Sequence, residues 1–290
     1  MMPKLQIMAA LVVVALARGM AQAQESLTVP QAAAAGQEIS LQASGSGNGT
    51  LYLIGPAQVI KREVQLSQPI RIKGEEVRSA GRWTAILRAD GRSSAQTFFV
   101  DPGPVENLSF LARPSRVPVA RPSAISGIVF VFDKYQNLVL QPTPVKFSLS
   151  VEGTGASQAV TSRYGVAWIS SSSARKAGAA QFVAAADDVS VRRVVQQVAS
   201  DPCNLRMHVA GHSQNGITVE TDPIRDCTGN PVPDGTIVTF IQTDSNGRST
   251  VDARIKKGVA RADLPSSNNA TISVASGVVL GNELHVGGGQ

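Results

Sequence analysis

Chemically reactive residue types are scarce in this sequence. Its 290 residues include two cysteines and three histidines, and only 4% are aromatic and 17% charged. The low charge content argues against a long charged helix or a coiled coil. Val, Ala, Ser, Thr and Gly dominate instead, and β-branched side chains pack well on a pleated surface. We therefore expect an all-β fold with enough apolar material for two or three small domains.

The sequence lacks the signatures of catalytic centres. No G-x-S-x-G elbow is present, and the glycine-rich segment Gly45–Gly49 lacks the lysine and following helix of a phosphate loop. Two acidic pairs, Asp187-Asp188 and Glu75-Glu76, are interpreted as exposed loop charges, with a Ca²⁺ site at a domain joint as the alternative. We predict a protein that is not an enzyme, with no catalytic, cofactor-binding or metal-binding residues.

The three histidines are His208, His212 and His285. The segment from Leu205 to His212 is typical of a strand, in which His208 and His212 would lie on one face about 13 Å apart. That distance is too long for two ligands of one metal ion, so we interpret the histidines as surface or half-buried residues.

The basic residues are scattered along the chain. The formal net charge is +6, and it falls to +4 without Lys4 and Arg18 of the N-terminal segment. A nucleic-acid site usually concentrates basic residues in a stripe, so we predict no nucleic-acid partner. Solvated faces and charged sheet edges explain this pattern best, and binding to an acidic surface is the alternative.

The first 23 residues have the three parts of a secretory signal. A short basic start with Lys4 precedes an apolar run from Leu5 to Ala17, and Ala21-Gln22-Ala23 supplies small residues for cleavage before Gln24. The run is shorter than the roughly 20 apolar residues that span a bilayer. We expect a cleaved signal peptide, a mature chain that does not span the membrane, and a location that is extracellular, periplasmic or at the cell surface.

The two cysteines, Cys203 and Cys227, belong to the exported part of the chain, where disulfides persist. A metal pair would need further ligands at suitable spacing, and a reactive thiol is the remaining alternative. We predict a Cys203–Cys227 disulfide, which would stabilise the fold by about 3.5 kcal/mol through loop closure.

An internal repeat with a shift of 93 residues organises the second and third parts of the chain. Three segments match their counterparts without a gap: Asp133–Asn137 with Asp226–Asn230, Thr143–Phe147 with Thr236–Phe240, and Gly165–Ala167 with Gly258–Ala260. Each copy contains about six or seven short strand signals, which is typical of a β-sandwich. The match does not extend to the first 100 residues.

Proline-containing breaks at Asp101–Pro104 and Ser200–Pro202 set the predicted boundaries. We predict a signal peptide at 1–23, a diverged immunoglobulin-like domain at 24–101, and two related domains at 104–199 and 203–290. Trp83 and Trp168 fall in strand signals and are predicted to be core residues, with an exposed sugar-stacking platform as the alternative.

The segment from Asp226 to Phe240, D-C-T-G-N-P-V-P-D-G-T-I-V-T-F, closely resembles the signature of bacterial Ig-like domains of the invasin/intimin type (Big-1). The later Gly258–Leu264, G-V-A-R-A-D-L, also fits that family. Gly229 and Asn230 suit a turn with positive φ, and Pro231 and Pro233 keep the next segment extended.

This resemblance implies tandem immunoglobulin-like β-sandwiches that build extracellular stalks. We therefore expect a structural spacer or cell-surface adhesion scaffold, with a protein or glycan on a cell surface as partner. The alternative is a periplasmic or secreted module that binds a glycan or a protein.

Overall fold

The computed structural model describes residues 26–213 and 216–287, so the predicted signal peptide lies outside the described residues. Within those ranges the chain forms 25 strands and a single 3-10 turn, Gly74–Glu76, and no α-helix. The described residues divide into two compact units. Unit 1 runs up to Asn107 and includes Phe132–Leu140, and unit 2 comprises Leu108–Val131 and the residues from Gln141 onward.

The first sandwich lies in unit 1 and consists of a three-stranded sheet, β1-β3-β6, and a five-stranded sheet, β2-β8-β7-β4-β5. Its strands are β1 (Leu27–Thr28), β2 (Ala32–Ala34), β3 (Ile39–Ala43), β4 (Asn48–Ile54), β5 (Val59–Gln65), β6 (Ile70–Ile72), β7 (Gly81–Ala89) and β8 (Arg92–Asp101). Alternating apolar residues of both sheets are buried in one core around Trp83, Leu41 and Leu53. Each such side chain stabilises the fold by roughly 1.5–3 kcal/mol through removal from water.

The second sandwich has the same strand order, with sheets β14-β11-β9 and β10-β16-β15-β12-β13. Its strands are β9 (Asn107–Arg113), β10 (Arg116–Pro118), β11 (Ile125–Phe132), β12 (Pro144–Val151), β13 (Thr154–Thr161), β14 (Val166–Ser171), β15 (Gly178–Ala186) and β16 (Val189–Val198). Phe110 of one sheet contacts Phe147 and Phe182 of the other at ring-centroid distances of 6.0 and 5.0 Å. Gly127 allows this packing, because a Cβ there would lie 2.8 Å from the Phe182 ring.

The third sandwich contains sheets β18-β19-β23 and β22-β21-β24-β25 and the short pair β17-β20. Its strands are β17 (Pro202–Cys203), β18 (Met207–Ser213), β19 (Gly216–Thr221), β20 (Arg225–Asp226), β21 (Ile237–Asp244), β22 (Gly247–Arg254), β23 (Arg261–Pro265), β24 (Ala270–Ser276) and β25 (Val279–Val286). Phe240, Val238 and Ile272 are fully buried in its core. The predicted fold class, all-β with tandem immunoglobulin-like sandwiches, is confirmed.

The structure also contains a second repeat, which was not predicted from the sequence. Strands β7 and β8 match β15 and β16 in length at a shift of 97 residues. The residues before β7 and β15 match as well: Arg78-Ser79-Ala80-Gly81 corresponds to Arg175-Lys176-Ala177-Gly178. The first part of the chain is therefore related to the second by strand order and by this segment. The predicted domain boundaries stay predictions.

Candidate functional site

The candidate site is the turn from Arg225 to Val232, at the start of the third sandwich in unit 2. Strand β20 pairs antiparallel with β17, so that Pro202 lies opposite Asp226 and Cys203 opposite Arg225. The two cysteines form a disulfide with a Cα–Cα distance of 4.9 Å, which confirms the predicted Cys203–Cys227 bridge. The bridge ties the segment entering the sandwich to the turn.

Asp226 organises this turn from its centre. Its Oδ1 accepts hydrogen bonds from the backbone amide and hydroxyl of Thr228, both at 2.8 Å, and from the backbone amide of Asn230 at 2.9 Å. Its Oδ2 accepts the backbone amide of Ser200 at 3.1 Å and the Asn230 side-chain amide at 3.1 Å. A carboxylate is suited to this place because both of its oxygens only accept hydrogen bonds.

The electrostatics of Asp226 follow from the same contacts. Burial alone would raise the pKa of its carboxyl group. The Thr228 hydroxyl, both amides of Asn230 and the Ser200 amide outweigh burial and hold the pKa below its ordinary value of 3.8. The carboxylate is therefore ionised at neutral pH and accepts charge-assisted hydrogen bonds, which are stronger than neutral ones.

Unit 1 contains the same turn. Asp133 is completely buried. Its Oδ1 accepts hydrogen bonds from the backbone amides of Tyr135 and Asn137, both at 2.8 Å. Its Oδ2 accepts hydrogen bonds from the Gly103 backbone amide and from the Asn137 side-chain amide. Here Gln136 occupies the left-handed position, with φ of 66°, that Gly229 occupies in the other turn with φ of 88°. The first match of the 93-residue repeat is thus a match in hydrogen bonding as well as in sequence.

The histidines are placed apart from this turn. His208 lies 3.3 Å from the Asp222 carboxylate, and the His285 ring lies 3.0 Å from the Thr271 hydroxyl. The prediction that His208 and His212 share a face is wrong, because a bulge shifts the ladder between Val209 and Gly211. An extra residue in one strand reverses the alternation of faces beyond it.

The acidic pairs differ from one another. Asp187, Asp188 and Glu75 are exposed, as predicted. Glu76 is half-buried and forms an ion pair with Arg62, so its interpretation as a simple exposed charge is wrong. Burial would raise the Glu76 pKa, but the Lys73 amide and the Arg62 guanidinium lower it below 4.5. Across residues 26–213 and 216–287, the His, Cys, Asp and Glu side chains form no group of three or more that could hold a metal ion.

The two tryptophans have opposite surroundings. Trp83 is fully buried in the first sandwich, and its Nε1 donates to the Ser79 carbonyl at 2.9 Å. Trp168 on β14 is 60% exposed, so its assignment to the core is wrong. It lies opposite Ile128 of β11 and shares the outer face of the three-stranded sheet with Phe130, which is 37% exposed.

A groove opens at the other side of β14. It has a volume of about 780 Å³ and separates β14 from the edge strand β13. Its lining includes the apolar residues Phe147, Leu149 and Phe182 and the polar residues Gln158 and Ser170–Ser173. Its size is within the range of small-ligand sites.

No protein-family model matches the chain, and no curated protein matches it. The solved structures similar to it include two bacterial proteins. The Escherichia coli adhesin FdeC aligns with a TM-score of 0.60 and 12% identity, over 91% of this chain and 96% of the other. InvD of Yersinia pseudotuberculosis aligns with a TM-score of 0.50 and 11% identity, over 90% and 96%. In the part of the chain that the structure describes, no helix has the length and apolarity needed to cross a membrane. At 11–12% identity the likeness to FdeC and InvD shows the fold alone, and this chain has a tandem Ig-like fold.

Proposed function

We propose that the chain is an exported, non-enzymatic scaffold that spaces or presents a binding surface outside the cytoplasm. We assign it three immunoglobulin-like domains, at 24–101, 104–199 and 203–290, behind a cleaved signal peptide. FdeC is described as an adhesin, and a role in adhesion is proposed for this chain by analogy of fold.

One observation carries the spacer role, namely the construction of the connection between the second and third sandwiches in unit 2. Only residues 199–201 separate β16 from β17. The connection is then held by the disulfide, by the β17-β20 pair and by the bond from the Ser200 amide to Asp226. A spacer has to keep a fixed distance, and a short, bonded connection supplies this where a flexible linker would not.

The test combines localisation with adherence. The gene is deleted from the native bacterium and restored with the full chain, and the cells are then fractionated. We expect to find the chain in the medium, in the periplasm or at the outer surface, and its intact mass should place Gln24 at the N-terminus. Adherence to host cells should fall on deletion and return on complementation. A cytoplasmic chain that retains residues 1–23 would overturn the proposal.

A second candidate function is a periplasmic or secreted module that binds a glycan or a protein. The exposed ring of Trp168 favours it, because exposed aromatic faces stack on sugar rings. Glycan arrays and pull-downs from envelope fractions, each repeated with Trp168→Ala, test this function. Binding that is lost in the variant supports it, and no binding in either experiment rejects it.

A further inference from the structure

Asn230 of the third sandwich forms two hydrogen bonds with residues of the second sandwich. Its Nδ2 donates to the Arg175 carbonyl at 2.7 Å, and its Oδ1 accepts the backbone amide of Ala177 at 2.8 Å. Arg175 and Ala177 belong to the segment just before β15 of the second sandwich, in the same unit. The side-chain amide therefore pairs with a backbone segment as a neighbouring strand would, with one donor and one acceptor.

Hydrogen bonds within the third sandwich also fix the orientation of the Asn230 side chain. The residue is 8% exposed, and its Nδ2 also donates to the Asp226 carboxylate and to the Thr228 hydroxyl, the latter at 2.7 Å. A flipped amide would direct its oxygen at the Arg175 carbonyl and at Asp226, which are both acceptors. The network consequently permits one orientation of the amide.

The same arrangement occurs independently in unit 1. The Asn137 Nδ2 donates to the Arg78 carbonyl at 2.7 Å, and the backbone amide of Ala80 donates to the Asn137 Oδ1 at 2.9 Å. The donors and acceptors correspond one to one at shifts of 93 residues for the asparagine and 97 residues for the backbone segment. Two occurrences with matched atoms make an accidental contact a poor explanation.

The backbone segment has a recognisable sequence, Arg-x-Ala-Gly, in both places. The final glycine has positive φ, 128° at Gly81 and 152° at Gly178, which other residues rarely adopt. This glycine turns the chain into β7 or β15 directly after the bonded amide. The alanine supplies that amide in both places.

A cleft and one exposed ion pair also lie between the second and third sandwiches. The cleft has a volume of about 330 Å³, and its lining mixes apolar residues such as Val198 and Ile237 with polar ones such as Arg121 and Thr236. The ion pair of Arg121 with Asp201 spans 3.6 Å between two exposed side chains, and such pairs contribute little to stability. The hydrogen bonds of Asn230, at 2.7 and 2.8 Å from a buried side chain, are shorter and better shielded from water than this ion pair.

We propose that Asn230 is a two-point clamp that fixes the third sandwich on the second, and that the Arg175–Gly178 segment is its receptor. Asp226 acts as the positioning residue, because it orients the amide without touching the receptor. This inference rests on the proposed spacer role and names the residues that stiffen the spacer.

The first test uses the wild-type chain, labelled with ¹⁵N and ¹³C. A scalar coupling across the hydrogen bond between the Ala177 nitrogen and the Asn230 side-chain carbonyl carbon is expected. The Ala177 amide should also exchange with solvent at least about tenfold more slowly than an unbonded amide, as one hydrogen bond provides. An absent coupling together with an unprotected Ala177 amide would overturn the clamp, even if every variant failed to fold.

The second test compares Asn230→Ala with Asn246→Ala, a control in an exposed turn of the same sandwich. In Asn230→Ala we expect about tenfold faster exchange at Ala177 and separate tumbling of the two sandwiches by ¹⁵N relaxation, while the Phe240 amide stays protected. The control should behave as wild type. Unchanged exchange at Ala177 and unchanged tumbling in Asn230→Ala would refute the clamp while leaving export and adherence, which are measured separately, untouched.

Discussion

Replacing Asp226 by Asn tests the organising role of this carboxylate most severely. Four hydrogen bonds reach Oδ1, from Thr228 and Asn230, so the new amide would keep its oxygen there and place its NH₂ group at the Oδ2 position. That group would face the Ser200 amide and the Asn230 Nδ2, which are both donors. The variant thus loses two charge-assisted hydrogen bonds and creates two donor–donor contacts.

The magnitude follows from these contacts. Hydrogen bonds to a charged group contribute about 1.5–3 kcal/mol each, so we expect the loss of two to lower the free energy of unfolding of the third sandwich by about 3–6 kcal/mol. For a domain of this size, a loss of 3 kcal/mol lowers Tm by about 12 °C or more.

The assay has to report on the third sandwich alone. Both tryptophans, Trp83 and Trp168, lie outside it, so calorimetry combined with hydrogen exchange of peptides covering Ile237–Asp244 is suitable. Asp252→Asn is the matched control, because Asp252 accepts one bond from Thr239 at an exposed place, and a loss below about 1 kcal/mol is expected. If Asp226→Asn lost no more than this control, the proposed role of the carboxylate would be refuted.

Three further predictions concern the disulfide, the titration of Asp226 and the two tryptophans. Reducing the disulfide should lower the unfolding free energy of the third sandwich by about 3.5 kcal/mol and leave Tm of the first sandwich unchanged; equal shifts in both would contradict its local role. The pKa of Asp226 is lowered in the folded state, so the stabilisation by its carboxylate is complete above about pH 4 and is lost as the pH falls through the lowered pKa. Urea midpoints measured from pH 5 to 2.5 should show this pH dependence in the wild type and less of it in Asp226→Asn. Equal slopes in the two proteins would contradict this prediction. Trp83→Ala should lower the free energy of unfolding by about 3–5 kcal/mol, and Trp168→Ala should lower it by under about 1 kcal/mol. Urea unfolding followed by circular dichroism measures both losses, and comparable losses would contradict the assigned burial.

The repeat at a shift of 93 residues predicted more of the structure than any other feature of the sequence. It places Asp133 and Asp226 in turns with the same hydrogen bonds, and β12 and β21 in equivalent positions. The disulfide could be predicted for a related reason. Two cysteines in an exported chain have one intramolecular partner each, and the start of one antiparallel segment lies beside the end of the other.

Strand β13 could not be predicted, because its sequence T-G-A-S-Q-A-V-T has no apolar alternation and almost all of it is exposed. Such an edge strand is stabilised by backbone pairing with β12, which leaves no periodic signal. Trp168 was assigned to the core for the opposite reason, since an apolar residue in a strand signal is usually buried. Its neighbours Ala167 and Ile169 take the inward positions instead.

The clamp could not be predicted from the sequence, because Asn230 and the Arg175–Gly178 segment are far apart along the chain. Arg175–Gly178 is short and its contribution is made by backbone atoms, so no side-chain chemistry marks it. Comparing the first and second parts of the chain at a shift of 97 residues, with no dependence on the 93-residue match, would have shown the repeated Arg-x-Ala-Gly.

Residual dipolar couplings of the wild-type chain provide the most direct measurement of whether the second and third sandwiches form a stiff pair. Backbone N–H couplings from β12 and β15 and from β21 and β24 would be fitted together. A single alignment tensor is predicted for both sandwiches, with the orientation that the Asn230 bonds impose. Two tensors of clearly different magnitude would mean that the sandwiches reorient freely, which would contradict the spacer.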